Sequence, residues 1–206
     1  TGTGAFEPAF LLVKRTDAAA DWFLYDNKRM YGSEAPANPL DGELRANRNL
    51  AEDDYPGYNF YTNGFEVANN GTNMNASGGT YIYLAIAADK DSSVPTQANS
   101  FSPTLYTGNG ATQNIYTPFA PDFTWLKERS GTQWNSLYDS IRGVGNRIVS
   151  NSVNAQNNDP NRLTSFNPNG FSIGTDGDTN TSNDTYVSWN WKAGGLPTIN
   201  SDGTRT

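Results

Sequence analysis

The chain spells one pattern twice. Phe6–Arg29, FEPAFLLVKRTDAAADWFLYDNKR, and Phe119–Arg142, FAPDFTWLKERSGTQWNSLYDSIR, both open on Phe-x-Pro-x-Phe and both close on Tyr-Asp-x-x-Arg. The echo continues downstream. Leu44-Arg-Ala-Asn47 and Ala51 return as Ile148-Val-Ser-Asn151 and Ala155, and Phe60-x-x-Asn-Gly-Phe-x-Val67 returns as Phe166-x-x-Asn-Gly-Phe-x-Ile173. Asn75-x-Ser77 is answered by Asn180-x-Ser182, and Thr80-Tyr81-Ile82 by Thr185-Tyr186-Val187. Chance does not keep so many identities in order, so the fold must be one that can be built twice from one polypeptide. The 206 residues then divide into a first repeat at 1–89, a linker at 90–100, a second repeat at 101–193 and a linker-like tail at 194–206. Each repeat is long enough, at roughly 90–100 residues, to bury a core without disulfides or metal.

The segments within each repeat read as strands. Ala9–Val13 is a short apolar run bounded by turn residues, and Trp22–Tyr25 is its return strand. Phe10 and Trp22 are expected in the core. Asn63-Gly64 and Asn169-Gly170 lie between apolar residues, a strong hairpin signal. In Thr185–Ala193, TYVSWNWKA, the residues Val187, Trp189 and Trp191 share one face and Tyr186, Ser188 and Asn190 the other, which predicts a sheet with one covered face. Met30–Gly42, with its prolines and acidic residues, is expected as a surface loop that the second repeat shortens to Gly143–Asn146. The second repeat owns Phe101–Pro118, where the first has only Thr1–Ala5. The first repeat is therefore expected to lack a strand, or to take one from outside the segment. The opening without Met, and a tail whose Leu196-Pro197-Thr198 echoes Val94-Pro95-Thr96, suggest a piece of a longer polypeptide. The fold class predicted is all-β: two tandem antiparallel β-sandwiches.

Composition narrows the chemistry. There is no Cys and no His, which removes thiol and imidazole mechanisms. A net charge of -7 with scattered Lys and Arg disfavours nucleic acid, and no apolar run reaches the roughly 18–20 residues of a membrane span. Glu43, Glu52, Glu66 and Glu128 show no spacing that would pair two carboxylates for glycoside hydrolysis; no catalytic residue and no cofactor is expected. Tyr55, Tyr58 and Tyr61, around Pro56-Gly57, either form a platform for sugar stacking or pack down onto the sheet. Asp26 with Arg29, and Asp139 with Arg142, recur in both repeats and are expected as structural ion pairs. Asp176, Asp178, Asn180 and Asp184 alternate oxygen ligands as a calcium loop does. The EF-hand pattern, however, needs Gly and Glu where Thr181 and Val187 stand, so a polar turn is the competing reading.

Together, APDFTWLKERSG, LYDSIRG, LTSFNPNGFSIG and DTYVSWNWKAGG, with VKRTDAAADWFLYDNKR, NGFEV and NASGGTYIYLAIA in the first repeat, resemble modules repeated in tail-fibre and other virion-associated proteins of tailed bacteriophages, marine ones especially. That resemblance implies a concanavalin- or laminin-G-like jelly-roll sandwich. It also implies a non-enzymatic role in host-surface attachment on the extracellular virion. The expected partners are other virion subunits or further repeats of the same polypeptide, host surface glycans, and like chains in a homo-oligomer. The alternatives are a capsid decoration or head fibre, or a carbohydrate-binding module of a depolymerase.

Overall fold

The computed structural model describes residues 6–31, 37–88 and 100–192. Within them the chain is an all-β assembly of antiparallel sheets. The first half contains β1 (Pro8–Arg15), β2 (Trp22–Asp26), β3 (Leu40–Arg45), β4 (Asp53–Tyr61), β5 (Gly64–Val67), a single helical turn α1 (Thr72–Asn75) and β6 (Tyr81–Ala87). Its strands form one sheet in the order β5-β4-β3-β2-β1-β6. The long β4 lets that sheet fold over: its start pairs with β3 at Glu43↔Asp53, and its end pairs with β5 at Phe60↔Phe65.

The second half contains β7 (Phe101–Thr107), β8 (Gln113–Tyr116), β9 (Phe123–Glu128), β10 (Ser136–Asp139), β11 (Asn146–Val149), β12 (Asn157–Asn158), β13 (Leu163–Asn167), β14 (Gly170–Ile173), α2 (Gly177–Asn180) and β15 (Thr185–Trp191). Here the work of β4 is divided between β12 and β13. The strands accordingly form two sheets, β12-β11-β10-β9-β15-β7 and β13-β14-β8.

The repeated sequence takes up the same strand registers. Phe10↔Asp26 and Leu12↔Leu84 in the first half correspond to Phe123↔Asp139 and Trp125↔Trp189 in the second. Phe60↔Phe65 corresponds to Phe166↔Phe171. The tyrosine that opens the last strand plays one part in both: the Tyr81 hydroxyl accepts from Ala76 N (2.8 Å) and the Tyr186 hydroxyl from Thr181 N (2.9 Å), each tying down the exit of the helical turn. The hairpins differ from expectation in detail. Their central residues are Thr62-Asn63 and Pro168-Asn169, and the glycines Gly64 and Gly170 follow as the first strand residues at φ 148° and 142°. Only glycine takes up such backbone without strain.

Alternation along the strands sends successive side chains to opposite faces, and each main sheet buries side chains on both faces. Leu11, Val13, Phe23 and Tyr25 turn toward β4, β5 and α1, where Leu40, Tyr58, Phe60 and Met74 complete one core. Leu126 and Tyr138 meet Ile115, Leu163, Phe171 and Ile173 of the outer sheet in another. The opposite faces meet each other. Phe10 and Leu24 of the first half share a third core with Phe101, Val187 and Trp189 of the second, flanked by Trp125 and Trp191. Phe10 lies edge-on to Trp189 (5.8 Å, 71°) and to Trp191 (6.0 Å, 83°), the arrangement that ring quadrupoles favour.

This shared core joins the two halves, each of which also has a core of its own. It corrects the one-covered-face reading of β15, where Tyr186, Val187, Ser188, Trp189 and Asn190 are all buried. The polar pair is tolerated because it is hydrogen-bonded: Asn190 Nδ2 donates to Ser102 O (3.0 Å) and Ser188 Oγ (3.0 Å), and its Oδ1 accepts from Thr124 Oγ1 (3.1 Å). Phe10 is buried as expected, whereas Trp22 is 36% exposed. It opens β2 on the shared-core face, at a point where it does not belong to that core. Of the expected surface loop Met30–Gly42, residues 32–36 lie outside the described residues, as do nearly all of the linker and the tail; Leu40 is buried.

Candidate functional site

A buried cluster of charged side chains lies on the seam between the halves. Asp26 and Arg29 have fully buried side chains, with Arg29 Nε 2.6 Å from Asp26 Oδ2. Arg29 Nη1 reaches Glu52 Oε1 (2.6 Å), and Glu52 Oε2 accepts from Arg129 Nη2 of the other half (2.9 Å). Trp189 Nε1 donates to the same Asp26 oxygen (2.8 Å), while the Arg29 guanidinium carbon stands 5.4 Å from the Trp189 ring centroid. Two carboxylates and two guanidiniums balance, the condition for burying charge at tolerable cost. Burial opposes the charge on Arg29, but Asp26 and Glu52 hold its pKa above the ordinary value. Backbone and side-chain bonds continue the seam: Glu52 N donates to Arg129 O (2.8 Å), Asn135 Nδ2 donates to Arg45 O (3.1 Å) and Arg48 O (2.7 Å), and Ser150 Oγ donates to Ala46 O. Lys127, 1% exposed, donates to Glu128 O (2.6 Å) and Gly131 O (3.2 Å), and burial lowers its pKa to about 8.

The second Asp-x-x-Arg turn has the same geometry in a different setting. Arg142 Nε contacts Asp139 Oδ2, and Arg142 Nη2 reaches back to Leu137 O (3.2 Å), just as Arg29 Nη2 reaches Leu24 O (3.2 Å). Its side chains remain about a quarter exposed, at 24% and 25%. Burial works against ionisation of Asp139, but the Arg142 backbone N–H and guanidinium outweigh it and lower its pKa. The sequence flags both turns equally and does not show which one is buried. Arg129 and Glu52 escape a reading based on repetition, because Thr16 stands where the repeat places Arg129.

The tyrosines are not presented together. Tyr58 is 1% exposed and sits in the core, edge-on to Tyr25 at 5.0 Å. Tyr55 (37%) and Tyr61 (43%) are exposed at opposite ends of β4, and the Tyr61 hydroxyl donates to Glu66 (3.0 Å). A three-tyrosine platform is therefore not formed. The Asp176–Asp184 segment is bound up with the fold. Asp176 caps α2 by accepting from Asp178 N (2.9 Å) and lies 3.4 Å from Arg162, while Asp178 pairs with Arg147. Asn180 is fully buried; it donates to Ala111 O and Gly174 O (both 2.6 Å) and accepts from Asn109 N (2.9 Å). Arg147 and Arg162 thus stand beside the carboxylates of Asp178 and Asp176.

A surface with the chemistry of a binding groove lies instead on the outer sheet of the second half. Asn114, Ile115, Tyr116, Asn167, Pro168, Asn169 and Ser172 line an open cleft of about 370 Å³. Across its floor Ser165 Oγ donates to Asn167 Oδ1 (3.0 Å), Asn167 Nδ2 to Ser172 Oγ (2.9 Å), and Ser172 Oγ to Asn114 Oδ1 (2.6 Å). Tyr116 is 66% exposed at its edge. Neutral amides and hydroxyls beside a bare aromatic face suit an uncharged polyhydroxyl ligand. The groove joins β8 to β13 and β14 across more than 50 residues of sequence, so no local motif announces it. Its one sequence signal is that Tyr116 falls in the segment present only in the second half.

These features define an all-β, antiparallel sandwich-type protein whose two halves share a core. The chain belongs to the family described as a domain of unknown function, DUF7483, which matches residues 2–89 and 96–206. The break between the matched stretches falls in the segment that joins the halves. No curated protein and no solved structure matches the chain.

Proposed function

We propose that this chain is a non-enzymatic structural segment of a bacteriophage particle, part of a fibre or adhesin that spaces or presents a host-attachment surface. The observation that carries this reading is how the buried charges are used. Asp26, Arg29, Glu52 and Arg129 are paired with one another across the seam, where they hold two sandwich layers together as a block. A stiff repeated β-sandwich with its functional surfaces on the outside is what a spacer needs. The resemblance of the APDFTWLKERSG and DTYVSWNWKAGG motifs to phage virion modules gives the setting. Quantitative mass spectrometry of purified particles from the virus or prophage that encodes the chain tests it. Peptides from this polypeptide at structural copy number are expected; their absence from intact particles overturns the reading. A head fibre or capsid decoration differs only in where immunogold labelling would fall.

A carbohydrate-binding module is the second reading, favoured by the Tyr116 groove. It predicts glycan binding on an array that Tyr116→Ala abolishes without changing the melting temperature. Equal signals from the two proteins would dismiss it.

A further inference from the structure

The two halves differ most at one edge. In the second half β15 is covered along its outer side by β7, with seven residue pairs from Thr185↔Thr107 to Trp191↔Phe101. The outer sheet there is likewise extended by β8, paired to β14 from Gly170↔Tyr116 to Ile173↔Gln113. In the first half the corresponding strands β6 and β5 are both terminal in the sheet formed by the described residues.

The glycines record the difference. A Cβ on Gly170 would fall 1.9 Å from Ile115 O of β8, whereas a Cβ on Gly64, the residue in the same register, would meet no atom of the described residues within 4 Å. The side chains record it as well. Val187 and Trp189 are completely buried, while Ile82 and Leu84, their counterparts on β6, are each 52% exposed, and Tyr83 is 64% exposed. Proteins normally blunt an edge strand with Lys, Pro or inward-pointing charge. Tyr81–Ala87, YIYLAIA, carries none of these. Among the described residues no strand pairs with its outer side, along which it presents β-branched and aromatic residues.

We propose that the β6 edge is an acceptor site for a strand of the β7 type, supplied by another module of this same family. This inference rests on the shared register of the two halves and not on the virion reading. The occupant is specified by what covers β15. It is an extended, uncharged strand running antiparallel to β6, with the alternation of Phe101–Thr107, FSPTLYT. Carrying the β15–β7 register across to β6 sets Tyr81 opposite the donor's Tyr106 equivalent, Ile82 opposite Leu105 and Leu84 opposite Pro103. Tyr106 lies stacked on Tyr186 at 5.0 Å and 7°, and the same stacking is available on Tyr81. Main-chain hydrogen bonds supply the affinity of such strand addition, and alternate side chains the selectivity. Successive modules joined in this way would form one continuous sheet from module to module.

The probe is a synthetic peptide with the sequence of Phe101–Gly110, added to the full 206-residue chain. Amide exchange at Tyr81–Ala87 is expected to slow about tenfold or more, and the melting temperature to rise with peptide concentration by mass action. Exchange at Thr185–Trp191 should stay unchanged, because β7 already fills that edge. Both effects should vanish in the double variant Ile82→Lys, Leu84→Lys; its residues are exposed, so it should melt as the parent does without peptide. No protection at β6 at millimolar peptide overturns the proposal. Protection that appears without peptide, grows with protein concentration and resists competition by the peptide also overturns it, since a second copy pairing edge to edge would then be the occupant.

Discussion

The Asp-x-x-Arg turn is built twice with nearly the same bonds and placed in two different environments. Around Asp26 and Arg29 the other half of the molecule closes over the pair with Trp189, and Glu52 and Arg129 extend it into a four-charge cluster. Among the described residues nothing comparable reaches Asp139 and Arg142, and the pair stays a quarter exposed. Local sequence specifies the turn; tertiary placement decides what the turn is worth. The same holds for the last strands, where Trp189 is buried and its counterpart Leu84 is half in solvent.

The largest effect should come from breaking the buried pair. Arg29→Ala leaves Asp26 buried without a cation and Glu52 with Arg129 alone, and is expected to cost about 3–5 kcal/mol, against roughly 0–1 kcal/mol for Arg142→Ala. Urea melts of both variants provide the comparison, and equal costs would mean that the seam is wet. Trp189→Ala should cost about 3–5 kcal/mol through the cavity it leaves, whereas Leu84→Ala should stay within about 0.5 kcal/mol. The glycines come next. Gly64→Ala meets only the backbone penalty of its φ of 148°, on the order of 1 kcal/mol. Gly170→Ala must in addition displace β8 and should be the more destabilised of the two by calorimetry.

A smaller effect concerns pH. Lys127 loses its proton near pH 8 in the folded chain, against an ordinary value of 10.5. Between those values the unfolded chain holds the extra proton, so this residue makes stability rise with pH across that window. Stability measured from pH 8 to pH 10 should therefore climb more steeply for the parent than for Lys127→Met. Parallel curves would place Lys127 in water.

The strand positions, the register of the repeat and the hairpins were legible because they depend on local alternation and on residues such as Asn63-Gly64 that act within a few positions. The burial of Phe10 was legible for the same reason. Three things were not. Trp22 and Trp189 look alike in sequence, and only the offset between the packed faces leaves one exposed and the other covered. Ser188 and Asn190 read as a solvent face because polarity in a strand usually means water, yet here their hydrogen bonds allow burial. The seam partners Glu52 and Arg129 lie 77 residues apart and have no periodic relation. Of the candidate sites, the Asp–Arg turns were visible as a recurrence. The Tyr116 groove, assembled from three strands distant in sequence, was not.

Calorimetric unfolding of the whole chain tests most directly whether the two halves form one structure. A shared core of Phe10, Leu24, Phe101, Val187 and Trp189, closed by the Glu52 cluster, predicts a single heat-absorption peak whose calorimetric and van't Hoff enthalpies agree. Two separable transitions, with Arg29→Ala or Trp189→Ala shifting only one of them, would contradict it.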